Sequence, residues 1–150
     1  MSNFNYSIRD YNETDYQFIY DVKKIVYRKY VEMNWGEWNE EKQIEMFKSF
    51  INDHAKDIKI VMVDDKRVGF YHGNDLDEST YEQRNICLIP EFQGKGIGSN
   101  ILKYLIETHK SKDICLRCFK QNPVINLYKR LGFKIVSETD YHYLMKLNRK

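Results

Sequence analysis

The sequence predicts an α/β (α+β) fold, in which helices cover the faces of a mixed sheet. Segments with helical hydrophobic spacing alternate with segments of strand character, in the order β-α-α-β-β-β-α-β-α-β-β. A glycine-rich turn joins a strand to a helix near residue 95, which is a common arrangement in such folds. The chain has 150 residues, of which 42% are hydrophobic. This length suits one domain over residues 1–150 with its own core.

The first half of the chain predicts one strand, two helices and a hairpin. Thr14 and Gln17 have the spacing of a capping box, and Asn39 precedes the acidic start of the second helix. The predicted elements are a strand over 5–10, a helix from Thr14 to about Tyr30, a loop over 30–39, a helix after Asn39, and strands over 58–63 and 68–72.

The second half predicts four strands and two helices. Pro90 ends one strand, Asn122-Pro123 has the form of a helix N-cap followed by proline at the first helical position, and Gly132 is placed to end that helix. The predicted elements are a loop over 74–79, a strand over 81–89, the glycine-rich turn with its helix, a strand over 113–119, a helix from Asn122 to Gly132, and strands over 133–137 and 141–147.

Composition excludes several classes of function. The net charge is +2 and basic residues are interspersed with acids, so no basic face for nucleic acid is expected. The apolar runs are only a handful of residues long, whereas a spanning helix needs about 20. The first five residues, Met1-Ser2-Asn3-Phe4-Asn5, are mostly polar and lack the charged and then apolar pattern of a signal peptide. We therefore expect a cytoplasmic protein with no membrane and no nucleic-acid partner.

The cysteines and histidines do not predict a metal site. Cys115 and Cys118 have CxxC spacing, but they lie in a predicted strand, where their side chains would face opposite sides of the sheet. No second cysteine or histidine pair completes a zinc set, and the four histidines show no HExxH or i,i+4 pairing. We expect three structural thiols, no metal, and no nucleophilic role for Cys87.

The glycine-rich turn is the segment most directly connected with function. It runs Gln93-Gly94-Lys95-Gly96-Ile97-Gly98-Ser99 between a strand and a helix. Glycines allow backbone amides to point inward together, and a helix N-terminus adds N–H groups and positive dipole, so the turn suits a phosphate or pyrophosphate. It matches neither GxxxxGK[ST] nor GxGxxG. A tight turn without any ligand is the alternative interpretation.

Two motifs resemble the GNAT superfamily of N-acetyltransferases. Residues 93–98 match its [Q/R]-x-x-G-x-[G/A] signature, and residues 122–133 resemble its N-P-x-x-x-L-Y-x-x-x-G-F segment. The predicted element order fits the family fold over essentially the whole chain. The resemblance implies a mixed, mostly antiparallel sheet of about seven strands flanked by four helices.

The resemblance also implies acetyl-CoA as cosubstrate and no metal. In the family, the substrate amine attacks the thioester directly. Backbone groups of Leu88 and Ile89 are then expected along the pantetheine arm, with an N–H near Leu88 polarising the acetyl carbonyl. Asn122 matches a residue that binds the pantetheine, and it can also be a helix cap. The residues expected to hold the pyrophosphate are Gln93, Gly94, Lys95, Gly96, Ile97, Gly98 and Ser99.

Two residues are expected to move protons. Tyr128 matches the family's general acid for the departing thiolate, or else it is helix packing. The position where relatives often carry a glutamate base is Arg84 here, and Glu82 lies two residues earlier on the same strand face. The alternatives are therefore Glu82 acting through a water and an amine that arrives neutral.

The acceptor site is expected at the loop between the first two helices. Tyr30, Glu32 and Trp35 lie there, and aromatic rings with acids suit a cationic amine. The alternative is that Trp35 and Trp38 only pin the loop to the core. The expected substrate is a small cationic metabolite or an aminoglycoside-like amine, with a peptide amine second. A catalytically weak CoA-binding sensor is the other class, a nucleotide-phosphate module a third, and homodimers are common in the family.

Overall fold

The computed structural model describes residues 5–149. The first four residues, which entered the localisation prediction, lie outside the described residues. The chain divides into two compact units, which are described separately. The first unit comprises the chain up to His72 together with Asn85–Ile97, and the second comprises Gly73–Arg84 together with the chain from Gly98 onward. Among the described helices, none has the length and apolar character needed to cross a membrane.

Residues 5–149 form seven strands and four α-helices. The helices are α1 (Tyr16–Trp35), α2 (Glu40–His54), α3 (Ile97–Thr108) and α4 (Ile125–Arg130). The strands are β1 (Ser7–Asp10), β2 (Ile58–Val63), β3 (Lys66–Asp75), β4 (Thr80–Leu88), β5 (Asp113–Phe119), β6 (Lys134–Glu138) and β7 (His142–Leu147). Short 3₁₀ turns lie at Glu13–Asp15, Ala55–Asp57 and Pro90–Phe92.

The strands form one mixed sheet in the order β1-β2-β3-β4-β5-β7-β6. The pairs β1–β2, β2–β3, β5–β7 and β6–β7 are antiparallel, and β4–β5 is parallel. The parallel ladder matches Thr80–Gln83 with Asp113–Leu116. The predicted fold class and element order are confirmed.

The start and the end of α1 differ from the prediction. The capping box is formed by Asn12 and Asp15 at the 3₁₀ turn Glu13–Asp15, two residues before the predicted Thr14 and Gln17, and α1 follows from Tyr16. The predicted end at Tyr30 is wrong, because α1 continues to Trp35. No glycine or proline interrupts the helix before Gly36, whose φ of 91° ends it.

The first unit has its core between α1, α2 and strands β2 to β4. Ile19, Val22, Ile58, Ile60 and Phe70 are each 0–1% exposed there. Their spacing is three residues on the helix and two on the strand, which places each set on one face. Burying such side chains contributes about 1.5–3 kcal/mol each.

The second unit is organised around β5. Ile114, Leu116 and Cys118 alternate as buried positions, so Cys115 faces the other side as predicted. All three cysteines are free thiols. Met145 of β7 pairs with Leu116 and is fully buried.

The start of α4 was predicted too early. Asn122 does not cap the helix, since α4 begins at Ile125, but its side chain accepts a hydrogen bond from the Val124 N–H (3.0 Å) and so shapes the preceding turn. The C-terminal prediction is confirmed, because Gly132 has a φ of 102° and follows the last turn of the helix.

Candidate active site

The end of β4 is fixed by two hydrogen bonds within the first unit. The Ile89 N–H donates to the Val68 carbonyl (2.9 Å), which ties the strand end to β3. The Gln93 side-chain amide donates to the Leu88 carbonyl (2.9 Å) across the Pro90–Phe92 turn. Gln93 therefore has a structural role in addition to the predicted contact with a ligand.

These bonds set the direction of the Leu88 amide. Successive N–H groups along an extended strand point to opposite edges. Since the Ile89 N–H points toward β3, the Leu88 N–H points away from β3. This is the direction that a donor to an acyl oxygen on the far side of β4 would need. The Ile89 N–H itself is already engaged by Val68.

Close packing holds Leu88 against β3. A Cβ atom added to Gly69 would lie 2.2 Å from the Cys87 carbonyl oxygen and 2.7 Å from Leu88 Cδ2, which is closer than real Cβ contacts. Glycine is thus required here because the two strands approach too closely for any side chain. The position of the Leu88 backbone consequently depends on Gly69.

The turn after β4 is exposed and has left-handed backbone at two glycines. Gly94 has a φ of 70° and Gly96 a φ of 87°, values that favour glycine strongly. Helix α3 begins directly afterwards at Ile97, which is buried. The first four N–H groups of any α-helix lack partners in the helix. The amides from Ile97 onward, including those of Gly98 and Ser99, therefore lie in the first turn of α3, at the positive end of its dipole.

Four polar side chains of the first unit form a group that sequence reasoning missed. The Tyr27 hydroxyl accepts a hydrogen bond from the Asn85 amide (2.9 Å) and lies 3.4 Å from Cys87 Sγ. Burial raises the pKa of the Cys87 thiol to about 11, and burial lowers the pKa of the nearby Lys23. With this pKa the Cys87 thiol is neutral at physiological pH.

The spacing of these residues reveals each half of the group, but not the contact between the halves. Lys23 and Tyr27 are four residues apart on α1, so they share a helix face. Asn85 and Cys87 are two residues apart on β4, so they share a strand face. The pairing of these two faces depends on the fold and could not be seen in the sequence.

The connection between α1 and α2 is held by Glu40. This carboxylate accepts hydrogen bonds from the Trp38 indole N–H (3.1 Å) and the Tyr20 hydroxyl, and it pairs with Lys24. Lys24, Tyr20 and Trp38 together lower the pKa of Glu40 to about 2, while burial and Glu40 raise that of Tyr20 to about 12. Trp38 also packs against the core of the first unit, so it pins the connection.

The three predicted substrate residues lie on α1 rather than in a loop, and they differ in accessibility. Tyr30 is 5% exposed, whereas Trp35 is 52% exposed. The Glu32 carboxylate accepts a hydrogen bond from the Trp38 backbone N–H (3.1 Å) and is in an ion pair with Arg28 (3.4 Å). Of the three, Trp35 presents the open aromatic surface.

Tyr128 is anchored in the second unit at the end of α4. Its carbonyl accepts a hydrogen bond from the Phe133 N–H (3.0 Å), and the Gly132 N–H donates to the Lys129 carbonyl (3.1 Å). This is the Schellman arrangement, in which the side chains of the first and last residues of the motif, here Tyr128 and Phe133, also contact each other. The rings of Tyr128 and the buried Phe133 lie 6.0 Å apart. The half-buried Tyr128 ring is thus held by the end of the helix.

Glu82 and Arg84 are partners in the second unit. Glu82 Oε1 lies 2.7 Å from Arg84 Nη2, and the glutamate side chain is 19% exposed. The two side chains share a face of β4, as the spacing predicts. The contact is an ion pair without well-aligned hydrogen-bond geometry. A base at Glu82 would have to accept its proton in the presence of this guanidinium.

Part of the chain resembles known proteins in sequence. Residues 55–135 match the family model described as "Acetyltransferase (GNAT) domain". The chain is 43% identical over 98 residues to the spermine/spermidine N(1)-acetyltransferase of Bacillus subtilis (strain 168), a match that covers 51% of this chain and 64% of that protein. The chain therefore spans less than two thirds of the length of this curated relative.

Solved structures show the same fold. PH1933 from Pyrococcus horikoshii OT3 superposes with a TM-score of 0.76 at 21% identity, covering 97% of this chain and 99% of that one. The PaiA N-acetyltransferase from Thermoplasma acidophilum, crystallised in complex with coenzyme A, gives a TM-score of 0.71 at 17% identity, covering 96% and 99%. The family model covers more than half of the chain, and the chain therefore belongs to the GNAT acetyltransferase family.

Proposed function

We propose that the protein transfers an acetyl group from acetyl-CoA to a primary amine of a small polycationic metabolite, with polyamines as the first candidates. The observation that carries this proposal is the fixed end of β4, where an outward Leu88 amide is followed by a glycine turn and the start of α3. This segment combines a donor for an acyl oxygen with amides for a pyrophosphate.

The turn is suited to a pyrophosphate by its backbone rather than by its side chains. Gly94 and Gly96 both have positive φ, which favours glycine, and glycine has no Cβ atom. An anion can therefore approach the backbone amides closely. Lys95 lies between them and adds positive charge to an exposed surface. Support from outside the chain comes from the Thermoplasma acidophilum protein, which was crystallised with coenzyme A.

The proposed reaction is a direct acyl transfer. The amine nitrogen attacks the thioester carbonyl carbon, a C–N bond forms, and the C–S bond breaks. The Leu88 N–H stabilises the negative charge that develops on the acyl oxygen. The departing CoA thiolate takes the hydroxyl proton of Tyr128, and the proton lost by the amine nitrogen goes to a base or to solvent. The Tyr128 phenolate then recovers a proton from solvent. The products are the acetamide and CoA thiol.

The ion pair of Glu82 defines two routes for that last proton. In one, Glu82 accepts it through a water while Arg84 remains nearby. In the other, the amine enters already neutral and releases the proton to solvent after the attack. A carboxylate base produces an acidic limb in the pH–rate profile that disappears when the carboxylate is removed. The neutral-amine route keeps the limb, because it then reports the ionisation of the substrate.

The choice of a polyamine rests on the Bacillus subtilis relative and on charge. That relative is a spermine/spermidine N(1)-acetyltransferase, and the similarity extends over 98 residues. An open depression on the exposed face of α1 is lined by Lys24, Ile25, Arg28, Lys29 and Glu32. Its three cations outnumber its one carboxylate, and this excess of positive charge disfavours a polycation. The exposed Trp35 indole can bind an ammonium group through its ring face. We therefore place the acceptor at Trp35 rather than on the basic face.

A catalytically weak CoA-binding sensor is the second candidate. The observation that favours it is Arg84, which stands where relatives often have a glutamate and which holds Glu82 in an ion pair. Such a module would bind acetyl-CoA as well as an enzyme does, but it would release no CoA thiol when amines are added.

Thiol release from acetyl-CoA in the presence of amines tests the proposal. Spermidine, spermine, an aminoglycoside and a short peptide are compared at equal concentration with wild type, Tyr128→Phe and Tyr104→Phe. Tyr104 is a matched control because it is 60% exposed on α3. We expect polyamines to give the highest kcat/KM, and we expect Tyr128→Phe to reduce turnover about tenfold to a thousandfold. No thiol release with any amine would favour the sensor instead.

A further inference from the structure

Three potential metal ligands converge in the first unit. His54, Asp57 and His72 each offer one ligand atom, and these atoms all lie within 4.8 Å of one another. The two imidazole rings have their centroids 4.7 Å apart. The cluster comprises two nitrogen ligands and one carboxylate.

Strand register explains why residues so far apart in sequence meet. His54 is the last residue of α2, and Asp57 ends the 3₁₀ turn that follows it. The next residue, Ile58, is the Cα partner of His72 in the β2–β3 ladder. His72 is thus placed beside the turn by a pairing that no local motif encodes, which is why the sequence predicted no metal.

The ligand types favour a first-row transition ion such as zinc. Two imidazoles and one carboxylate form a three-residue set of the kind that zinc sites with an open position use, whereas Ca²⁺ and Mg²⁺ prefer oxygen ligands alone. In a tetrahedral zinc site with bonds of about 2.0–2.1 Å, the ligand atoms lie roughly 3.3 Å apart. Side-chain rotations that bring the three atoms closer by about 1.5 Å would reach this geometry.

The residues around the cluster close it on one side. His72 is fully buried, while His54 and Asp57 are half-buried, so the cluster has a closed side and an accessible side. The Phe50 ring contacts both imidazoles, with centroid distances of 5.6 Å to His54 and 5.1 Å to His72. An apolar wall of this kind limits water access and strengthens metal–ligand electrostatics.

From this geometry we infer that His54, Asp57 and His72 form a binding site for a zinc-class divalent cation, with water in the fourth position. The ion connects the end of α2 to the middle of β3, so it stabilises the first unit. This site is separate from acetyl transfer and does not depend on the proposed function. Its occupation raises the melting temperature without being required for thiol release.

Metal titration of the full chain tests the inference. Protein freed of metal with a chelator is titrated with Zn²⁺, with Mg²⁺ as a control, and Co²⁺ is added as a spectroscopic probe. We expect one Zn²⁺ per chain with a micromolar or lower Kd, no response to Mg²⁺, and visible Co²⁺ absorption without an intense thiolate charge-transfer band. At a hundredfold excess over Kd, the Tm should rise by about 5 °C or more.

Variants distinguish this site from binding elsewhere. His54→Gln and Asp57→Asn change half-buried residues and so keep the chain folded; each should weaken Zn²⁺ binding at least a hundredfold. His142→Gln, in the second unit, should leave the Kd unchanged. If folded wild type binds neither Zn²⁺ nor Co²⁺, or if both ligand variants bind as tightly as wild type, the inference is wrong.

Discussion

Removing the carboxylate of Asp15 should destabilise the first unit in a pH-dependent way. Asp15 is fully buried and accepts four hydrogen bonds: two from the Arg9 guanidinium (2.8 Å each), one from the Asn12 N–H (2.9 Å) and one from Arg67 (3.2 Å). These partners connect β1, the turn before α1 and β3. Asp15→Asn keeps the volume but removes the charge that all four donors face.

The size of the effect follows from the pKa. The Arg9 guanidinium, assisted by Asn12 and Arg67, lowers the pKa of Asp15 from 3.8 to about 2. This difference corresponds to about 2 kcal/mol of stability. Because the folded-state pKa is depressed, the contribution is complete above pH about 4 and is lost as the pH falls through about 2.

Urea denaturation at several pH values measures this. At pH 7 we expect Asp15→Asn to lower the free energy of unfolding by about 2 kcal/mol, and we expect the gap from wild type to close as the pH approaches about 2. Asp10→Asn is the control, since Asp10 is 80% exposed in its ion pair with Lys59 and its loss should change the free energy of unfolding much less than the loss of Asp15. Equal costs for the two variants, or a gap that persists at pH about 2, would refute the reasoning.

Three further predictions concern the site. Gly94→Ala puts a Cβ atom where φ is 70° but where no atom lies within 4 Å. The resulting backbone strain of roughly 1–2 kcal/mol should raise the acetyl-CoA Kd about five- to thirtyfold. Gly36→Ala carries similar strain outside the turn and should not change the Kd, and equal Kd values for both variants would remove the turn from the site. Trp35→Ala should raise the polyamine KM at least fivefold with little change in Tm, since the indole is 52% exposed; a KM change matched by Met33→Ala, also exposed, would contradict this. Glu82→Gln should abolish the acidic limb of the pH–rate profile if Glu82 is the base, whereas an unchanged profile assigns that limb to the amine.

Local signals were sufficient for much of the fold. Strands β2 and β5 have the predicted bounds because each is an apolar run enclosed by polar turns. Helix α2 begins at Glu40 as predicted, since the Asn39 side chain accepts a hydrogen bond from the Lys42 N–H (2.9 Å). The hairpin between β2 and β3 turns at Asp64 and Asp65, which both have positive φ.

Element ends that depend on competing signals were not predictable. Asn122-Pro123 has the sequence of a helix start, yet the Asn122 side chain bonds to Val124 and shapes a turn before α4 instead. The extension of α1 to Trp35 placed the predicted acceptor residues on a helix, and that helix buries Tyr30 while exposing Trp35.

The candidate active site and the separate histidine cluster also contain both predictable and unpredictable features. The glycine turn was visible because the motif is contiguous and its backbone requires glycine. The contact of Tyr27 with Asn85 depends on which helix face meets which strand face. The convergence of His54 with His72 depends on strand register. Such long-range pairings leave no trace in the spacing of either partner, so they required the structure.

Calorimetric titration with acetyl-CoA tests the central claim most directly. Desulfo-CoA and ATP are titrated under the same conditions as controls. We predict one site per chain with micromolar affinity for acetyl-CoA, retained binding of desulfo-CoA, and no heat from ATP. Folded protein that binds neither CoA ligand, or that binds ATP instead, would contradict the assignment of the β4–α3 turn to acetyl-CoA.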